Sequence, residues 1–167
     1  MNYTVFEQMT LSEANEFLET FLAMGMEKFA KIRKELSTKD ANFNFEITSI
    51  SQVFEANLKN LKRGEAPDYP KTEQFLPSIT EFDQKSSASI FACAFFLGES
   101  FNRLFESVSW KIGNGDTAFR NMPVIRGFTF EHELAPLVVA ENIAFAVMRN
   151  ETTSRIDEIV DYWISVV

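Results

Sequence analysis

Apolar residues recur at three- and four-residue intervals over most of this chain, and the places where that rhythm breaks divide it into helices. Leu11, Ala14, Phe17, Leu18, Phe21, Leu22, Phe29, Ile32 and Leu36 keep the rhythm behind Thr10 and Glu13, a capping-box pair, so the spacing predicts a long helix over 11–36. Its early turns carry Glu13, Glu16 and Glu19 and its late turns Lys28, Lys31, Arg33 and Lys34, the distribution a helix dipole favours. Phe43, Phe45 and Ile47 alternate with polar neighbours, which suits a short strand or, as the preferred reading, an extended connector with its aromatic rings on the core. Ser49 with Gln52 offers a second capping box. Behind it Ile50, Val53, Phe54, Leu58 and Leu61 predict a helix over 50–63 that Gly64 stops.

Pro67, Pro70 and Pro77 make 64–77 a long loop, and with strong periodicity on both sides it reads as an excursion within one domain spanning 1–167. Ile90, Phe91, Ala94, Phe95, Leu97, Phe101, Leu104 and Phe105 then form a broad stripe on a helix over 84–107, expected to be the central and most buried one. Gly98 inside it costs about 1 kcal/mol relative to alanine, which points to the close approach of another element. Val108, Trp110 and Ile112 alternate, Gly113–Asp116 is a turn signature, and Val124, Ile125 and Phe128 follow, so a small antiparallel hairpin is predicted. Pro136 opens a helix over 135–149, and Thr152 or Thr153 stands where the cap of a last helix belongs. That helix carries Ile156, Ile159, Val160, Trp163, Ile164 and Val167 on one face and Asp157, Glu158 and Asp161 on the other. The fold class is mostly α (α+β): about five helices around a central Phe-rich helix, with one small β-hairpin.

Composition changes this picture in three ways. Eighteen phenylalanines against three tyrosines and two tryptophans give aromatic mass that packs and offers no polar handle, hence a Phe-rich core. Sixteen Lys and Arg against 24 Asp and Glu leave a net charge of -8, which repels phosphate backbones and anionic lipid, so neither nucleic acid nor a membrane is an expected partner. After residue 130 the acids Glu131, Glu133, Glu141, Glu151, Asp157, Glu158 and Asp161 face only Arg149 and Arg155, so the C-terminal region carries a negative field suited to solubility or to a basic partner. Cys93 is the only cysteine and lies in an apolar run, which excludes an internal disulfide. The sequence begins without the basic and apolar regions of a signal peptide and holds no run of the roughly 18 apolar residues a membrane span needs; a cytoplasmic location is expected.

Candidate chemistry is sparse. His132 is the only histidine, so the usual two- or three-histidine zinc sites are out of reach, and no metal or cofactor is implied. Gly113-Asn114-Gly115-Asp116 lacks the Lys-Ser/Thr ending of a P-loop, and there is no Gly-x-Ser-x-Gly nucleophile elbow. Glu99 stands inside the apolar stripe with Arg103 four residues on, the spacing of a helical ion pair that also has the Trp110 strand within reach. Asp157, Glu158 and Asp161 share a helix face, as a solvated surface or as the receiver of a basic partner, and are not spaced as a calcium loop.

Phe96-Leu97-Gly98-Glu99, Ser109-Trp110-Lys111-Ile112, Pro123-Val124-Ile125 and Pro136, with a looser likeness upstream over Ile47–Leu61, together resemble a pattern of small bacterial proteins in which a Leu-Gly-Glu helix leads into a Trp-bearing strand, a second strand and a proline-started helix. The likeness covers 47–148, maps only Glu99 and Trp110, and carries no catalytic residues. Some similar proteins sit beside toxin genes as candidate immunity proteins, so the resemblance implies a non-catalytic protein that neutralises a cognate toxin by binding it. An acidic inhibitor would be steered onto a basic toxin. Two other functions remain open at this point: a small-molecule-binding protein or enzyme with a pocket around Glu99, Arg103, Trp110 and His132, and a structural homodimer.

Overall fold

A computed structural model describes residues 4–36, 45–64, 82–149, 151 and 155–167. Among these residues, six α-helices and one two-stranded sheet run in the order α1 (Thr4–Gln8), α2 (Leu11–Leu36), α3 (Ile50–Leu58), α4 (Gln84–Leu104), β1 (Ser109–Ile112), β2 (Pro123–Arg126), α5 (Pro136–Met148) and α6 (Arg155–Ser165). The protein is mostly α with an antiparallel hairpin in which Trp110 pairs with Ile125 and Lys111 with Val124.

The long second helix has the predicted bounds, and its capping box is formed. The Thr10 amide donates to Glu13 Oε2 at 2.7 Å and the Glu13 amide to Thr10 Oγ1 at 3.3 Å. Short α1 carries no periodic signal and exists because Phe6 is buried edge-on against Phe17, with ring centroids 5.1 Å apart.

The helix expected over 50–63 ends at Leu58, and its capping box is absent. Ser49 is the last residue of a 3-10 turn, Ile47–Ser49, and holds a helical conformation (φ -89°, ψ -12°) from which its side chain makes no cap. Residues past the helix are spent on a different connection: Arg63 bridges Phe82, and the Lys62 amide bonds Ser86 Oγ at 2.8 Å. Asp83 caps α4 by accepting from the Ser86 amide at 2.8 Å. Helix α4 stops at Leu104, short of 107, because Phe105 turns extended to lead into β1. Phe43, the proline loop beyond Gly64 and the Thr152 or Thr153 cap lie outside the described residues.

Helix α4 is the centre of the core, buried on all sides from Ile90 to Gly98, and packs against α2, α3, α5 and the hairpin. Rings stack along it from several elements: Phe45 and Phe29 meet Phe96, and Phe21 meets Phe95 and Trp110. Each buried phenylalanine contributes about 1.5–3 kcal/mol of transfer free energy, so the surplus of this residue is chiefly a core-building device. Cys93 belongs to the same interior, and burial pushes its thiol far above the ordinary range. Among the described residues no helix is long and apolar enough to cross a membrane.

Candidate functional site

Three of the four residues expected to share a pocket come together. Glu99, on α4, accepts from Arg103 Nε at 2.6 Å, from the indole Nε1 of Trp110 on β1 at 3.2 Å and from Asn102 Nδ2 at 3.4 Å. Its side chain is 12 % exposed, and the Arg103 guanidinium stacks 4.2 Å above the Phe45 ring. The carboxylate therefore ties the hairpin to the central helix, with its oxygens already engaged by three donors. His132 keeps other company, with its Nδ1 3.3 Å from the Tyr162 hydroxyl and its ring near Phe130 and Trp163.

The acidic trio on α6 also divides. Asp157 accepts a hydrogen bond from Ser51 Oγ on α3, and its position in the first turn suits the helix dipole. Glu158 and Asp161 project from the exposed side, and Tyr162 lies four residues from Glu158, on the same face.

Tyr162 shares its surface with His132 and with an exposed aromatic ring. A 3-10 turn, Thr129–Glu131, leaves the hairpin and presents Phe130 at 86 % exposure. Every other described phenylalanine is buried or half-buried. Phe130 (φ 58°, ψ 26°) and Glu131 (φ 56°) both occupy the left-handed region, which costs about 1–3 kcal/mol each for residues with side chains. Two clamps hold the turn there. Thr129 donates twice to the Val166 carbonyl, through its amide and its hydroxyl, each at 2.8 Å. Beyond the turn, Ile125 and Leu134 exchange backbone bonds of 2.8 and 3.1 Å. Beneath it Trp163 packs on the buried Phe128 at 4.6 Å and edge-on against Tyr162, itself 50 % exposed.

The result is a platform of Phe130, His132, Tyr162 and Trp163, and the exposed acids beside it along the chain are Glu131, next to Phe130, and Glu158 and Asp161, before Tyr162 on α6. Sequence reasoning found His132 and the α6 acids separately and missed Phe130 and Tyr162. The one available signal was a phenylalanine set between polar residues in Thr129-Phe130-Glu131, where neither helical nor strand periodicity asks for an apolar side chain.

Glu133 is a second buried carboxylate with a structural role. It pairs with Arg126 Nε at 3.3 Å and accepts from the Asn114 amide at 3.0 Å and Thr117 Oγ1 at 2.8 Å, fastening the hairpin loop. Among the described residues no three His, Cys, Asp or Glu side chains converge as metal ligands. No family model, curated protein or solved structure matches the chain.

Proposed function

We propose that this protein is a non-catalytic binding domain whose docking surface is the Phe130–Tyr162 platform, and that its partner is a basic protein, with a cognate bacterial toxin as the specific expectation drawn from the resemblance of 47–148. The observation that carries the reading is Phe130: a fully presented aromatic ring on a backbone held in an unfavourable conformation by bonds on both sides. Such strain persists where the surrounding structure imposes it, and it gathers at functional positions. Aromatic side chains at the centre of an interface supply most of its binding energy, while a charged rim sets approach and partner choice.

The neighbouring acids select the sign of the partner. Glu131, Glu158 and Asp161 are acidic in a chain of net charge -8, so basic surface is attracted. A second copy docking through the same patch would bring like charges together, which argues against the homodimer. The enzyme alternative has less support, since Glu99 is engaged by its own neighbours and His132 keeps contacts with a different set of residues.

Placing a photo-crosslinking amino acid at 130, and for comparison at exposed Lys111 on the hairpin, tests the reading in the source cells. A discrete covalent adduct with a basic protein is expected from position 130 alone. Equal labelling from both positions, or an adduct only with the protein itself, overturns it.

A further inference from the structure

We infer that the cleft between the start of α2 and the hairpin loop is a second binding site, which takes a small molecule bearing an oxyanion group. The cleft measures about 360 Å³ and is lined by Thr10, Asn114, Arg120, Asn121 and Arg126 together with loop glycines. Small-ligand sites occupy roughly 300–1,000 Å³, so this one is large enough for a compact polar metabolite.

The chain carries a net -8, yet the described lining has two arginines and no carboxylate. Glu133 and Glu13 lie behind the lining, bonded to Arg126, Asn114 and Thr10, so the cation left without a bonded counter-ion among the described lining residues is Arg120. Arg120 is exposed, and its side chain has no hydrogen bond or ion pair among the described residues. Arg126 is held from behind by Glu133, whose side chain is 4 % exposed and whose other bonds go to Asn114 and Thr117. A planar guanidinium offers paired donors that match a carboxylate or phosphoryl group, and Arg120, exposed in the cleft lining without a bonded counter-ion, makes anionic ligands the favoured class.

The walls are set in advance. Asn121 sits buried in the left-handed region (φ 62°) and donates through Nδ2 to the Phe6 and Met9 carbonyls at 2.9 and 2.8 Å, tying the loop to the segment before α2. Gly113 bonds Met122 and Asn121 across the loop, and a Cβ on it would fall 1.9 Å from the Phe119 carbonyl oxygen. A ligand entering such a cleft orders little, which removes a usual cost of binding. The site uses elements separate from the Phe130 platform and stands independently of it.

Titration calorimetry with inorganic phosphate, succinate and uncharged glycerol tests the assignment on the wild type, Arg120→Gln and Arg120→Lys. Saturable binding of at least one anion at one site per chain is expected, none of glycerol, and an affinity about tenfold weaker in Arg120→Gln, the loss of a charge-assisted bond. Arg120→Lys should fall between. The tighter of the two anions tells a phosphoryl from a carboxylate ligand. Failure of both anions to saturate, or equal affinity in Arg120→Gln, overturns the site; Arg120 is exposed, so that variant keeps the fold, as circular dichroism would check.

Discussion

The indole of Trp110 fills the space that a side chain at Gly98 would need: a Cβ there would lie 2.2 Å from both Cζ2 and Cη2 of the ring, with Pro136 Cγ at 3.0 Å. The ring has no room to retreat, because Phe21 packs edge-on at 5.5 Å and its Nε1 is bonded to Glu99. Gly98→Ala should therefore destabilise the protein although it improves helix propensity by about 1 kcal/mol, since overpacking costs about 1–3 kcal/mol and more for a clash this close. Urea unfolding measures the balance, and a more stable Gly98→Ala would contradict the packing described.

The Glu99 cluster is a structural joint, and its variants should rank accordingly. Trp110→Phe leaves the half-buried carboxylate short of a donor and opens space beside Gly98, a loss of about 2–3 kcal/mol. Glu99→Gln keeps an acceptor for the indole and gives up an ion pair whose arginine is half exposed, a loss of about 1 kcal/mol. Thermal unfolding of both variants checks the order, and the reverse ranking would return Glu99 to the list of functional carboxylates.

Phe130→Gly should raise stability by about 1 kcal/mol, because glycine occupies the left-handed region without penalty and the ring lost is out in solvent. The same change should remove partner binding. Chemical denaturation detects the gain; a destabilised variant would mean that the ring supports the fold.

Among the described residues three carboxyl groups lie below their ordinary values in the folded protein. The Thr10 amide and hydroxyl hold Glu13 down, Ser86 does the same for Asp83, and Arg149 for Glu151. A lowered folded-state pKa gives stability that is complete above the ordinary values of 4.5 for Glu and 3.8 for Asp and is lost as pH falls below them. Stability measured from pH 6 to 3 should decline, and Asp83→Asn should flatten the decline. An unchanged slope in that variant would remove Asp83 from the account.

Helical periodicity made the five longer helices legible, because each buries at least one face and the apolar spacing records it. The Trp110 strand and the Gly98 contact were legible for the same reason: a glycine inside a buried stripe has a neighbour that takes its place. Ser49 was misread because a capping pair in sequence does not fix the φ and ψ that a cap requires, and here a 3-10 turn supplies helical geometry instead. Phe130 was not legible as a site, since its exposure comes from bonds between Thr129 and Val166, 37 residues apart. Arg120 and Arg126 reach one cleft only because Asn121 and Glu133 fold the loop back, a relation no local pattern encodes.

The most direct test of the docking surface is quantitative affinity capture from source cells with three tagged baits: wild type, Phe130→Ala and Asp161→Lys, each shown to be folded. The wild type should recover one basic protein at near-equal stoichiometry, falling by about tenfold or more with Phe130→Ala and becoming less salt-sensitive with Asp161→Lys. Recovery of the same partner at the same level with Phe130→Ala would contradict the claim that this ring is the centre of the interface.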